Sequence, residues 1–445
     1  MMITTGAWAI MLFVDRLILF KSSISEFNAA LPAGTLYWMA MSLFVGIASY
    51  TNTFVAQYYG AGKPERIGAS VWQGIRLGIY VTPLFLILIP IGKYYFQSTT
   101  DDPAVADAEI RYFQILVLGC TSSIITAAQG ALFNGQGKTR IVMMVNLGAV
   151  LLNIFLDYGL ILGNMGFPKL GILGAGIATT AASWSMVLVF AVLMRQKKYW
   201  EGCHLKTTWR HDSELMGRMI KFGTPNGLPM LVESITFHAL VKIVLTFGML
   251  KAAASSLVLS INQLAHFPLV GLGIACSILV GQRISSGRQE AAKTAINSAL
   301  IVGLTYSFFF VILYLIIPDG VIKMHREMMP QDSAFYSIRE ISVILLRLAG
   351  LYLIIECLQL VFSGAIKGAG DTWFVLKMTI LVAVLTLIGY FAARGLGLYA
   401  MWVVYILQIA ILGGACFMRF RGGKWKDFSV IEKGASPRDE PGADE

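Results

Sequence analysis

The sequence predicts an all-α membrane protein in which twelve transmembrane helices form two six-helix lobes, related by a pseudo-two-fold axis along the membrane normal. Three observations carry that prediction. Hydrophobic residues make up 56% of the 445 and charged residues only 13%, with a mean hydropathy of +0.69. A soluble domain carries about a quarter charged residues and could not cover this much apolar surface. Apolar runs such as 141–162, 231–250 and 376–392 are each long enough to cross a hydrocarbon core of about 30 Å. Finally, the second half of the chain repeats the punctuation of the first.

In chain order the spans fall near 1–20, 31–58, 71–96, 110–134, 139–163, 171–195, 220–248, 253–281, 292–317, 340–366, 372–393 and 395–418. The first lacks a basic n-region and a small-residue cleavage site, and it contains Asp15 and Arg16. It therefore reads as a transmembrane helix and not as a cleaved signal. Gly60-Ala-Gly-Lys-Pro and Gly166-Phe-Pro mark tight turns between helices. The longest polar segment, 196–218, is rich in Lys, Arg and His and divides span six from span seven. A polar tail, 419–445, closes the chain, and its Gly/Pro/Asp/Glu end is expected to be disordered. The expected domains are an N-lobe at 1–195, a basic linker at 196–218, a C-lobe at 219–418 and the tail.

The internal repeat rests on matched segments. Gly-Gln-Gly-Lys-Thr (135–139) follows span four and Gly-Ala-Gly-Asp-Thr (368–372) follows span ten. Leu-Gly-Ile (170–172) opens span six, and Leu-Gly-Leu (396–398) opens span twelve. The offsets cluster near 225–230 residues, and because six is even the two halves run parallel. The same offset places the start of span one before Met1, so that span is expected to lack its first turn or two. Lys and Arg crowd the loops after even-numbered spans, at Lys63, Arg66, Lys138, Arg140, Lys197, Lys198, Arg283, Arg288, Lys367 and Arg419. They thin out in the opposite loops, which hold chiefly Lys21, Lys93, Lys169, Lys251, Lys323, Arg326 and Arg394. The positive-inside rule then puts both termini in the cytoplasm. Cys203, in the linker, is expected to react with thiol reagents only from that side.

Several classes of function are excluded. The net charge is +10, but the basic residues are scattered through short loops, so no nucleic-acid partner is expected. Cys120, Cys203, Cys276, Cys357 and Cys416 show neither CxxC nor Cys/His spacing, which argues against a disulfide framework or a metal centre. Gly135-Gln-Gly-Lys-Thr resembles the end of a P-loop, yet the first required glycine would fall at Leu132 and no strand precedes it. No His/metal or Ser/Lys pair shares one depth, as an intramembrane hydrolase would need. The chain reads as a protein that is not an enzyme.

Four acids inside apolar spans carry the chemistry: Asp15, Asp157, Glu233 and Glu356. Placing a carboxylate in a transmembrane helix costs about 2.5–3.5 kcal/mol, so such residues usually face a cavity and act there. At 1.5 Å per residue, Glu233 and Glu356 lie roughly 15–20 Å from the cytoplasmic ends of spans seven and ten. Asp15 and Asp157 lie roughly 8–9 Å below the opposite surface, with Asn153 one turn before Asp157 on the same helix face. Two carboxylates at matched depth in each half are what a cation site requires. For Na⁺, acidic and amide oxygens replace hydration water; for H⁺, burial beside a like charge favours the neutral acid. Na⁺ is placed slightly ahead of H⁺ at Glu233 and Glu356.

The structural alternative is that each acid pairs with a cation such as Arg347, Lys242 or Arg16, although Arg16 cannot face Asp15 from the next position on the helix. His238 with Lys242, and His266 with Asn262 and Gln263, serve equally well as polar contacts or ligands. Trp38, Met230, Phe237, Asn262 and Gln263 are candidate walls of an adaptable cavity for organic molecules, and equally ordinary packing positions.

Certain segments resemble the multidrug and toxic compound extrusion (MATE) family. They are Val55-Ala-Gln-Tyr-Tyr-Gly-Ala-Gly-Lys-Pro-Glu-Arg, Leu152-Asn-Ile-Phe-Leu-Asp with Gly166-Phe-Pro-Lys-Leu-Gly-Ile-Leu-Gly-Ala-Gly-Ile-Ala-Thr, and Gly223-Thr-Pro with Glu233. To these are added Gly271-Leu-Gly-Ile-Ala-Cys-Ser-Ile-Leu-Val-Gly-Gln and Gly364-Ala-Ile-Lys-Gly-Ala-Gly-Asp-Thr. The resemblance implies two lobes forming a V about a central cavity. It also implies efflux of organic, often cationic compounds by antiport against Na⁺ or H⁺, with no other cofactor. A monomer in a bacterial inner membrane, with small-molecule substrates and membrane lipid as its partners, goes with it.

By position, Glu233 and Glu356 resemble the second-lobe cation site of the NorM-like branch, where the span-ten acid is commonly Asp, and Tyr352 resembles its aromatic neighbour. Asp15, Asn153 and Asp157 resemble the first-lobe proton or sodium cluster. The chain departs from the family at Asp15-Arg-Leu-Ile-Leu-Phe, where small or neutral residues and a glycine are usual. The competing expectation is a lipid-linked oligosaccharide or other lipid flippase of the same superfamily, which would usually show several cavity arginines.

Overall fold

A computed structural model describes the chain except residues 23, 101, 325–333, 424, 426, 427, 429 and 431–445. The Gly/Pro/Asp/Glu end of the tail thus lies outside the described residues. Among those described, the regular elements are helices and no strand occurs. They are α1 (Met2–Ser22), α2 (Ile24–Ser49), α3 (Thr51–Gly60), α4 (Pro64–Thr99), α5 (Pro103–Asn134), α6 (Thr139–Leu162) and α7 (Ile172–Met194). A one-turn α8 (Lys197–Trp200) follows, then α9 (Ser213–Leu245), α10 (Met249–Ser285), α11 (Gln289–Ile316), a short α12 (Pro318–Met324), α13 (Ala334–Ala369), α14 (Thr372–Ala393) and α15 (Leu398–Arg421). Eleven helices among the described residues are long and apolar enough to cross a membrane, and α1 contributes a shorter apolar stretch, Met2–Leu12.

Most helices outrun their expected spans. α4, α5, α9 and α13 each begin six or seven residues earlier than hydropathy places them. A hydropathy window closes at the first polar residues, whereas the hydrogen-bond ladder runs on until a cap stops it. Pro64 and Pro103 start α4 and α5 where no helical N–H is needed. The Asp102 carboxylate accepts the Ala104 N–H at 2.9 Å, and Asp212 accepts the Leu215 N–H at 2.9 Å to start α9 inside the expected linker.

Contacts group the chain into two compact units. The N-unit comprises Ile10–Leu231, Gly281–Arg288 and Ser429–Glu445; the C-unit comprises Met1–Ala9, Val232–Val280 and Gln289–Phe428. The N-unit is built around α5, which packs against α4, α2 and α7. Small residues permit the approach: a Cβ on Gly74 of α4 would meet the Ala128 Cβ of α5 at 2.7 Å. The C-unit is built around α13, which packs against α15 and α11.

The linker is docked along α4 in the N-unit. Trp72 Nε1 donates to the Leu205 carbonyl at 2.9 Å, Gln73 and Arg76 donate to the Arg210 carbonyl at 3.1 and 2.7 Å, and Arg66 pairs with Asp212 at 3.0 Å. Cys203 is buried beneath it. Burial pushes its thiol pKa up, against smaller opposing effects from Gln136 and Lys138. Since the thiolate is the reactive form, Cys203 is a slower reporter of topology than an exposed thiol would be. The exposed neighbour Lys206 offers a place for one. Lys206→Cys is expected to take up an impermeant maleimide only after permeabilisation, and faster than wild-type protein does. Labelling of the variant in sealed cells would reverse the assigned orientation.

Candidate functional site

The C-unit site is assembled by a backbone crossing. A Cβ on Gly364 of α13 would meet the Gly273 carbonyl of α10 at 2.3 Å, and one on Gly368 would meet the Ser277 carbonyl at 2.2 Å. The helices therefore touch at two points one turn apart on each, a small-residue contact found between membrane helices. Two turns before that contact stand His266 on α10 and Glu356 on α13. They meet with His266 Nδ1 and Glu356 Oε1 2.8 Å apart, the length of a charge-assisted bond.

Pro268, next in α10 after Phe267, has no N–H for the Leu264 carbonyl. The Tyr306 hydroxyl of α11 donates to that carbonyl at 3.2 Å, so the helix carries the proline without an orphaned acceptor. Tyr352, one turn before Glu356, is buried, with its ring 5.8 Å from that of Tyr405 and nearly perpendicular to it. Its hydroxyl accepts a hydrogen bond from Asn262 Nδ2.

Exposure is graded across the cluster. Glu356 is 4% exposed and its second oxygen makes no hydrogen bond. The His266 side chain is 35% exposed. Glu233 on α9 is exposed, within electrostatic reach of His266, Glu356 and Lys367. The acids are therefore not an isolated carboxylate pair: His266 is bonded to one of them, and Lys367 acts on the other. Among the described residues, no group of three or more His, Cys, Asp or Glu side chains is placed to hold a metal ion.

In the N-unit, Asp15 of α1 interacts directly with Asp157 of α6, and Asn153 stands beside them. Asn153 and Asp157 are fully buried and Asp15 is nearly so. Neither Asp157 oxygen and neither Asn153 amide atom makes a hydrogen bond of normal geometry. The Arg16 side chain lies outside those described.

The candidate cavity residues separate. Trp38, which is exposed, and Met230 belong to the N-unit; Phe237, Asn262 and Gln263 belong to the C-unit. Asn262 is buried, and its amide bonds the Tyr352 hydroxyl rather than lining an open wall. A cavity of about 290 Å³ in the N-unit, lined by Ile79, Phe85, Leu118 and Trp184 among others, contains none of these residues and neither acid cluster. Sequence reasoning left His266 undecided and counted Lys367 as a loop cation, because span ten was expected to end at 366. The helix in fact continues to Ala369.

Membrane-length helices carrying carboxylates in both compact units are the build of a transporter. The chain belongs to the MatE family, whose model matches residues 2–159 and 225–391. It shares its fold with a multidrug resistance MATE family transporter of the MOP superfamily in an outward-facing conformation. That match has 20% identity and a TM-score of 0.82, and it covers 96% of this chain and 94% of that one. A MOP superfamily transporter from Pyrococcus furiosus matches at 19% identity and a TM-score of 0.82, with the same coverage. A eukaryotic MATE transporter matches at 19% identity and a TM-score of 0.80, again over 96% of this chain and 94% of that one.

Proposed function

We propose that the protein is a secondary active multidrug efflux transporter that exports organic, often cationic compounds by antiport, with H⁺ as the coupling ion at the C-unit site. The observation that carries the proposal is the His266–Glu356 contact at 2.8 Å. A carboxylate already bonded to a titratable ring has a proton carrier for its partner, which leaves fewer oxygens for Na⁺. Glu233, exposed, is where a proton or an organic cation arrives first. Both are attracted by one negative charge, so each displaces the other. Antiport follows when the two ligands favour opposite-facing states, since a ligand shifts an equilibrium only by its differential affinity. The same proposal places a monomer in a bacterial inner membrane with both termini cytoplasmic.

Ethidium efflux from proteoliposomes tests the ion. A pH gradient alone is expected to drive uphill movement, and a Na⁺ gradient alone at fixed pH is not. The opposite pattern would return the site to Na⁺, coordinated by Glu233 and Glu356. The fold does not choose the cargo. The Pyrococcus furiosus transporter is described by a binding pocket of reverse polarity that suggests a different function. Acids in both units favour a cationic cargo over the anionic headgroup of a lipid-linked oligosaccharide.

A further inference from the structure

The N-unit carries a groove that belongs to neither acid cluster. It holds about 290 Å³ between α4, α5 and α7, close to the smallest usual pocket for a small ligand, about 300 Å³. Ile79, Leu86, Leu118 and Trp184 form exposed walls, and buried Phe85 forms the floor. The Trp184 indole donates Nε1–H to the Leu118 carbonyl at 3.4 Å, which fixes one wall. Two hydroxyls line the groove, those of Thr82 and Thr121. They bond each other at 2.8 Å, and Thr82 also bonds the Gly78 carbonyl at 3.0 Å. Their hydrogen bonds are thus made within the protein, and what the groove offers an occupant is apolar. All three helices are long and apolar enough to cross a membrane, so hydrocarbon chains are what such a groove meets.

The end of the groove nearest the linker is positively charged. Arg76 stands one turn before Ile79 and Tyr80 on α4. Its Nη1 donates to the Arg210 carbonyl at 2.7 Å and to Gln73 Oε1 at 3.5 Å. One nitrogen makes both bonds, and the planar fork of a guanidinium suits a phosphate. Arg210 is exposed. Asp212, the nearest acid in the linker, is taken by Arg66 at 3.0 Å, and among the described residues neither Arg76 nor Arg210 forms an ion pair. Trp209 and Tyr80 beside them are exposed, and the Tyr80 ring lies 6.3 Å from that of His211. Exposed Trp and Tyr next to basic residues mark the headgroup level of a bilayer. From Arg76 to Thr82 and Leu86 the helix advances about 9 and 15 Å, the direction in which a lipid chain runs from its phosphate. We propose that the groove is a site for one anionic phospholipid, its phosphate held by Arg76 and Arg210 and one acyl chain lying against Ile79, Leu118 and Trp184. Two cations without acidic partners select a net negative headgroup over a zwitterionic one, whose own ammonium they repel. One arginine comes from α4 and the other from the linker, so the bound lipid braces the linker on the helix. The site stands independently of the transporter reading.

Quenching by brominated lipid tests it. Phosphatidylglycerol and phosphatidylcholine with the same brominated chains are titrated into purified full-length protein in detergent. The signal is the tryptophan fluorescence that Trp184→Phe removes, measured in each background. Bromine quenches an indole only at contact, so this difference reports a chain in the groove. Quenching by phosphatidylglycerol is expected to saturate at one lipid per protein, with a midpoint roughly 10-fold below that of phosphatidylcholine. Arg210→Gln keeps the carbonyl that anchors Arg76 and should raise the phosphatidylglycerol midpoint about 5-fold, the worth of one basic residue near an anionic lipid surface. Arg76→Gln together with Arg210→Gln should raise it about 25-fold. If the double variant does not fold, Arg210→Gln alone decides. Equal midpoints for the two lipids, a midpoint unmoved by the arginine substitutions, or no quenching of Trp184 at saturating phosphatidylglycerol would each overturn the site.

Discussion

Glu356→Gln is expected to slow proton-driven efflux 100-fold or more, while leaving expression and thermal stability at or above wild type. The amide is nearly isosteric with the carboxylate, and its carbonyl still accepts from His266 across the present 2.8 Å. What disappears is the negative charge. A neutral amide costs less to bury than an ion whose second oxygen has no partner, so folding should not suffer. The same substitution removes the group that ties proton occupancy to the state of the site. Passive exchange of labelled ethidium between equal concentrations should therefore survive while uphill movement falls to what the N-unit pair alone can drive. Glu356→Asp keeps the charge but shortens the reach to His266 by about one methylene, so coupling is expected to weaken and not vanish. Uphill efflux at the wild-type rate in Glu356→Gln, at equal expression, would remove the C-unit cluster from the mechanism.

The contact on which that result depends could not be read from the sequence, though its neighbours could. Ninety residues separate His266 from Glu356. Hydropathy places each in a span without giving the rotation of either helix. The information lay in the glycines: Gly273, Gly364 and Gly368 fall in segments that pointed to the family, and the structure shows them bringing α10 and α13 into backbone contact. Apolar spans were legible because the bilayer imposes one length and one polarity on each of them. Their polar extensions were not, because caps such as Asp102 and Asp212 act locally and leave average hydropathy unchanged. The docking of the linker was likewise invisible, since the carbonyls of Leu205 and Arg210 that it offers to α4 exist in any sequence. The acids stood out in the sequence as charges inside apolar spans. Their exposure was not foreseen: Glu233 is open and Glu356 buried, a difference set by neighbouring helices.

The second large effect is expected in the N-unit, where Asp157→Asn should slow uphill efflux at least tenfold. Asp15 and Asp157 interact directly inside the helices, and two carboxylates in contact cannot both stay ionised without a bound cation or a shared proton. If they hold one proton between them, Asp15→Asn alone should cost as much as Asp157→Asn alone, and the double variant no more than either. That non-additivity marks groups acting as one site, whereas multiplying effects would mark two independent ones. Each variant should be at least as stable as wild type, because neutralising one member relieves the repulsion. The N-unit pair and the C-unit cluster use no residue in common, so a cycle that loads both carries two protons per substrate. One proton supplies about 1.4 kcal/mol per unit of pH gradient. With the membrane potential clamped at zero, one unit should therefore sustain about a 100-fold substrate gradient in wild type and about 10-fold in Asp157→Asn. The static-head gradient of ethidium, read after the flux has stopped, measures this without reference to rate. Equal static heads in the two proteins would show that the N-unit acids carry no coupled proton, and wild-type rates in both single variants would reduce the cluster to a structural contact.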